Sequence, residues 1–232
     1  PTGAWQALRL FLAEYPEHGD PDHLGARLRP ISPVLCGLLT DAANPGLPPL
    51  RRIQAARKMA EAGDPRYGTG LRHDGLPEFD WVRIPAGEFI FHYDQPMTLP
   101  TFYIARYPVT FAQFQAFIDD GGYTTARWWD GLDRRHDRER QPDDQRWPVD
   151  NQPCERVSWF EAMAFCRWLS DKLGYEVKLP HEYEWEVAAR YPDGRFYPWG
   201  DEFDENKTNG AESVWQRVVD VRWFGEGDSP AG

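Results

Sequence analysis

Three cysteines are the first residues to weigh, because a thiolate can act as nucleophile, redox centre or metal ligand. Cys154 follows Pro153 in a turn-rich stretch, Cys166 falls inside a long apolar run, and Cys36 lies in the N-terminal quarter. No two of them form a C-x-x-C or other metal-binding spacing. Cys166 reads as core packing, since a free cysteine behaves as a small hydrophobe. The run His181-Glu182-Tyr183-Glu184-Trp185-Glu186 suggests a metal-binding helix at first sight. A zincin helix, however, needs H-E-x-x-H with two imidazoles one turn apart, and position 185 is Trp. No Ser-His-Asp order, glycine-rich phosphate loop or paired-carboxylate signature stands out. The adjacent aromatics Trp128-Trp129, next to a charged stretch, are read as exposed. They are candidates for a ligand or partner platform, or for packing against another part of the domain.

The elements that must carry these residues divide the chain in two. Residues 1–75 hold nine Lys/Arg against eight Asp/Glu, whereas residues 76–232 hold 17 against 29, so the net charge of −11 belongs to the second part. Ten of the 11 Trp also fall there. Gly68-Thr69-Gly70 and Asp74-Gly75-Leu76-Pro77 mark the boundary with turn residues. The first part, 1–75, reads as a short helical region or linker. Trp5, Leu8, Phe11, Leu12 and Tyr15 recur at three- and four-residue spacing. A second helix is expected at Leu35–Leu39 and a third from about Leu50 to Glu61, its basic face in solvent. Leu8–Ala13 is too short, and is broken by Arg9, to be the core of a signal peptide. The cytoplasm is therefore the expected compartment, and free thiols suit it. Acidity argues against nucleic-acid binding, and no apolar run reaches the roughly 18 residues of a membrane span.

In the second part, Trp81–Ile84, Glu88–Phe91, Phe102–Arg106 and Glu176–Leu179 read as short strands. Thr110 with Gln113, and Ser158 with Glu161, form capping boxes that open two helices. The second of these runs to about Lys172 and is apolar on more than one face, so it is expected to be central. A third helix covers about Glu182 to Arg190, Asp193-Gly194 is a tight turn, and residues 130–146 are read as a mobile surface loop.

From Trp81 onward the ordered blocks resemble the formylglycine-generating-enzyme family, the sulfatase-modifying-factor domain. They are Ile84-Pro85-Ala86-Gly87-Glu88-Phe89, Phe102 to Thr110 with Phe114, and Pro153 with Val157-Ser158-Trp159 and Ala162 to Trp168. The most specific is Leu179 to Arg190, followed by Tyr197-Pro198-Trp199-Gly200. The resemblance implies an α+β, C-type-lectin-like fold held by aromatic packing, preceded here by the small helical region. It covers the N-terminal half of that domain, over residues 76–232. Where the family usually has a capping Thr, this chain has His181. That exchange either weakens the cap by about 1 kcal/mol or gives His181 a binding role.

The resemblance further implies a structural calcium ion held by the Asn209 side chain and the Gly210 carbonyl, oxygen ligands that suit calcium; Asp220 is a further candidate ligand. The family's copper-binding cysteines, which carry oxygen-dependent conversion of a substrate cysteine to formylglycine, would lie beyond Gly232. No catalytic residue is therefore assigned within this chain. Similar domains end bacterial signalling and defence proteins and display ligands in variable proteins. The expected role is thus a non-catalytic binding module, whose partner is another protein or the C-terminal half of its own domain. The alternative is one part of a copper- and oxygen-dependent oxidase.

Overall fold

A computed structural model describes residues 49–61 (side chains from Ile53), 63–92, 95–132, 141–210, 217–224 and 227–231. The expected helices at Trp5–Tyr15 and Leu35–Leu39 lie outside the described residues, as does 133–140 of the expected surface loop.

Two capping boxes fix the helices around which the rest is built. Thr110 opens α2 (Phe111–Asp119), its hydroxyl accepting from the Gln113 N–H at 3.4 Å while Gln113 Oε1 accepts from the Thr110 N–H at 3.0 Å. Ser158 opens α3 (Trp159–Leu173) in the same way through Glu161. Each satisfies two backbone donors that a helix start otherwise leaves without partners. Gly174, at φ +73°, ends α3 in the left-handed conformation that glycine adopts without steric cost.

Both caps also act at a distance. Gln113 is fully buried, and its Nε2 donates to the carbonyls of Gly68 at 3.2 Å and Glu78 at 2.5 Å. The Thr110 hydroxyl donates to the Thr69 carbonyl at 3.0 Å. The turn-rich 66–78 segment is thereby fastened to the start of α2. On α3, Glu161 also accepts from the Tyr123 hydroxyl.

The strands form two antiparallel pairs. β1 (Trp81–Ile84) pairs with β4 (Phe102–Ala105), with Trp81 opposite Ala105. β2 (Gly87–Phe91) pairs with β3 (Gln95–Leu99), with Gly87 opposite Leu99. β3 was not expected from sequence, since Pro96 interrupts a run in which only Met97 and Leu99 are apolar apart from it. Glu176–Leu179, expected as a strand, has no ladder partner among the described residues.

The main core joins α2, α3 and a 3-10 turn (Ala126–Trp129) through Phe114, Phe117, Trp129, Phe165, Trp168 and Leu169. The rings of Phe114, Phe117, Phe165 and Trp168 lie 5.5–5.9 Å apart in tilted, stacked and edge-on pairs, within the range in which aromatic contacts are favourable. α3 is central, as its apolar faces implied, although Trp159 at its first turn is 57% exposed. A second core joins the strands to α4 (Glu182–Ala189) through Val82, Ile84, Phe89, Leu99, Val187 and Ala188.

α1 (Pro49–Glu61) buries Ile53, Ala56 and Ala60, and Ile53 packs with Val219 and Trp223. Arg57 is exposed as expected, but Lys58 is buried with its ammonium 2.7 Å from Glu61, so that side of the helix is not fully solvated. Below α1 lies a buried polar network. Arg66 Nε donates to Asp64 Oδ1 at 2.8 Å, and Arg66 Nη1 donates to Asp220 Oδ1 at 2.9 Å. Asn151 Nδ2 donates to Asp64 Oδ2 at 2.9 Å and to the Ala56 carbonyl at 3.2 Å. These bonds tie the end of the helical region to two distant segments of the second part.

Candidate functional site

Among the described residues, a large concave surface lies between β4 on one side and residues 175–180 on the other. Its floor is the α3 stripe Ala162, Phe165, Cys166 and Leu169, at the three- and four-residue spacing of one helix face. The groove encloses about 590 Å³ and is overwhelmingly apolar. Its polar rim includes the Lys178–Glu184 ion pair at 3.2 Å. Tyr103 on β4 is 61% exposed and Tyr175 opposite is half exposed. An apolar, half-open groove of this kind binds by excluding water from nonpolar surface rather than by charge.

Cys154 and Cys166 both line the groove. Burial pushes the Cys154 thiol up to about 12, with Glu161 and Glu155 adding to the shift. Burial alone pushes Cys166 up to about 11. A thiolate is the form that ligates copper or attacks an electrophile, so both thiols sit in surroundings that oppose that chemistry. Among the described residues, no group of three or more His, Cys, Asp or Glu is placed to hold a metal. Cys154 and Cys166, the cysteines among the described residues, therefore do not fit a copper centre.

The other sequence candidates do not line the groove, although His181 adjoins its rim through Pro180 and Glu184. Trp128 and Trp129, expected as an exposed platform, are only 6% and 5% exposed. Trp129 Nε1 donates to the Gly122 carbonyl at 2.8 Å, and the Arg127 guanidinium lies 4.0 Å over the Trp128 ring. They belong to the core because the 3-10 turn points them at α3. Sequence periodicity could not show this, since a single turn has no repeat to read.

His181 occupies the N-cap of α4 and is exposed. Its ring stacks on Tyr183 at 5.1 Å, and its backbone N–H donates to Glu184 Oε2 at 2.8 Å. The glutamate half of the capping box thus persists where the hydroxyl half has been lost.

Asn209 and Gly210 are exposed, and Asn209 Nδ2 donates to the Arg217 carbonyl at 2.9 Å. Asp220 is committed elsewhere, bound by Arg66 and by the Arg222 N–H at 2.8 Å. It is not free to complete an oxygen shell around calcium. The groove itself was missed by sequence reading, although the apolar α3 stripe and the β-like Glu176–Leu179 run were its available signals.

Two capped helices around an aromatic core, with small antiparallel sheets and an apolar groove, define a C-type-lectin-like α+β domain. Residues 72–232 match the family model described as the sulfatase-modifying factor enzyme 1-like domain. The chain is 37% identical over 125 residues to hercynine oxygenase of Mycobacterium tuberculosis, covering 45% of this chain and 28% of that protein. It is 28% identical over 217 residues to formylglycine-generating enzyme of Mus musculus, covering 74% and 55%. It is also 28% identical over 179 residues to inactive C-alpha-formylglycine-generating enzyme 2 of Bos taurus, covering 58% and 56%. The chain belongs to the sulfatase-modifying-factor family, and spans between about a quarter and just over half of the length of these relatives.

Proposed function

We propose that residues 72–232 form the non-catalytic, binding part of a formylglycine-generating-enzyme-like protein, with the groove as its contact surface. The observation that carries this reading is the groove's chemistry: an apolar floor and walls, with both cysteines on its lining held protonated by burial. The partner is a protein segment, either a separate protein or the C-terminal part of the same domain. Nucleic acid and membrane are not expected as partners, because the charge of −11 repels phosphate and anionic lipid alike. The cytoplasm is the proposed compartment. The relative named inactive C-alpha-formylglycine-generating enzyme 2 supports this reading, since its name describes it as inactive.

A second reading is favoured by the relative named formylglycine-generating enzyme. In it the chain is one part of a copper- and oxygen-dependent oxidase, whose metal-binding cysteines lie outside these 232 residues. The reading frame downstream of Gly232 separates the two. A frame encoding G-N-V-W-E-W followed by two spaced cysteines, in a product that takes up copper on titration, establishes the oxidase. A frame with the block but without the cysteines supports the binding module. Affinity capture that recovers only a lone, stable monomer refutes the binding module.

A further inference from the structure

A second concavity shares Phe79, Trp81 and Tyr175 with the groove and adds Tyr67, Arg72, His73 and Glu78, which do not line the groove. It encloses about 410 Å³, within the size range of small-molecule sites.

Local structure fixes both of its walls. Leu71 and Pro77 form an isolated antiparallel bridge. Around it the Arg72 N–H donates to the Leu76 carbonyl at 2.8 Å, the Gly75 N–H to the Arg72 carbonyl at 2.9 Å and the Glu78 N–H to the Gly70 carbonyl at 3.0 Å. Gly75, at φ +79°, makes a turn that other residues would strain to adopt. Asp74 holds the tip, accepting from the Leu76 N–H at 3.2 Å and from Arg72 Nη2 at 2.6 Å. The facing wall is Leu173 and Tyr175, on either side of the Gly174 cap of α3. Trp81 Nε1 donates to the Tyr175 hydroxyl at 3.2 Å, and Phe79 stacks on Trp81 at 5.0 Å. The cleft is therefore shaped before any ligand arrives, which lowers the ordering cost of binding.

Its lining is chemically mixed. Tyr67 is 59% exposed and Tyr175 half exposed, so aromatic rings stand at the rim. Glu78 Oε2 accepts from the Gly68 N–H at 3.3 Å, and its other oxygen remains an acceptor. The Tyr175 hydroxyl, accepting from Trp81, keeps its own proton to donate. Arg72 and His73 supply further polar groups. A cationic ligand would meet Arg72 here, and an anionic one Glu78. A wholly apolar ligand would strip water from these groups without replacing their hydrogen bonds. What satisfies the lining is a neutral molecule with hydroxyl groups, each both donor and acceptor, set around a ring that has an apolar face.

We propose that this cleft is a saccharide site. A pyranose lies with its C–H face against the aromatic rim, and its hydroxyl groups bond to Glu78, Arg72 and the Tyr175 hydroxyl. The inference is independent of the groove reading and stands or falls without it.

Nitrogen-15 NMR of the 232-residue chain tests it, with the Trp81 indole N–H as reporter. The probes are glucose, galactose, mannose and N-acetylglucosamine, each as the reducing sugar and as its methyl pyranoside. A ligand of about a dozen heavy atoms at ordinary efficiency gives a Kd of about 1–10 mM, and the Trp81 resonance should move saturably in that range. Tyr67→Ala and Glu78→Gln, whose amide oxygen still accepts from Gly68, should each raise Kd about fivefold without changing the urea midpoint. Tyr103→Ala, which alters the groove alone, should leave Kd unchanged. Tighter binding of the methyl pyranosides assigns the site to sugars linked to larger molecules, and of the reducing sugars to free ones.

No saturable shift with any of these sugars at about 100 mM, well above the expected constant, overturns the proposal. So does tighter binding of adenosine or tetramethylammonium than of every sugar. An unchanged Kd in Tyr67→Ala and Glu78→Gln, or a Kd raised by Tyr103→Ala instead, also overturns it.

Discussion

Replacing Arg66 by Met keeps most of the side chain's apolar bulk and deletes its charge. Arg66, Asp64 and Asp220 have side chains only 3%, 4% and 3% exposed, so two carboxylates would remain buried around a lost cation. Burial works against the Arg66 guanidinium. The hydrogen bonds and charges of Asp64 and Asp220 outweigh it and hold the group charged. Removing one partner of such a buried pair costs about 3–5 kcal/mol, because the remaining charge has neither water nor counter-ion. For a domain of this size each kcal/mol lowers the melting midpoint by about 2–4 °C, giving a drop of about 6–20 °C. Urea unfolding followed by tryptophan fluorescence measures the loss directly. The triple variant Arg66→Met, Asp64→Asn, Asp220→Asn removes the charges together and should recover a large part of it. A change below about 1 kcal/mol in Arg66→Met would refute the claim that this network fastens the helical region to the domain.

Three further outcomes are expected. Gln113→Ala removes the partner of Thr110, Gly68 and Glu78 at once and should cost about 2–4 kcal/mol in urea unfolding. His181→Thr restores a hydroxyl at the N-cap of α4 and should raise stability by about 0.5–1 kcal/mol in the same assay. Cys154 and Cys166 should resist iodoacetamide at pH 8 in the native chain and react on unfolding, as mass spectrometry of the modified peptides would show. Their folded values lie above the ordinary 9.0. The folded state therefore holds those protons more tightly, and the thiols' contribution to stability, complete below pH 9, is lost as pH rises through about 11 to 12.

Much of the domain was legible because its signals are local. The Thr110–Gln113 and Ser158–Glu161 boxes need only four residues each, and the α3 apolar pattern foretold a central helix. What sequence did not show depends on partners far along the chain. Trp128 and Trp129 were read as exposed because their neighbours are charged, yet the 3-10 turn carries them into the core. Glu176–Leu179 has a strand's composition without a strand's neighbour, and a ladder needs two members. The Arg66–Asp220 pair spans 154 residues, a separation at which no periodicity speaks. The groove is the sum of such long-range placements, and so it emerged only once β4, α3 and residues 175–180 were assembled in space.

Sedimentation of the 232-residue chain across a concentration series, with a parallel titration of a fluorescent dye specific for exposed apolar surface, tests the account most directly. The open groove and the exposed Tyr103, Trp159, Trp185, Phe196 and Phe203 predict dye binding and association that grows with concentration. A monomer that binds no dye at the highest concentration would contradict the claim that this surface exists to be covered by another polypeptide segment.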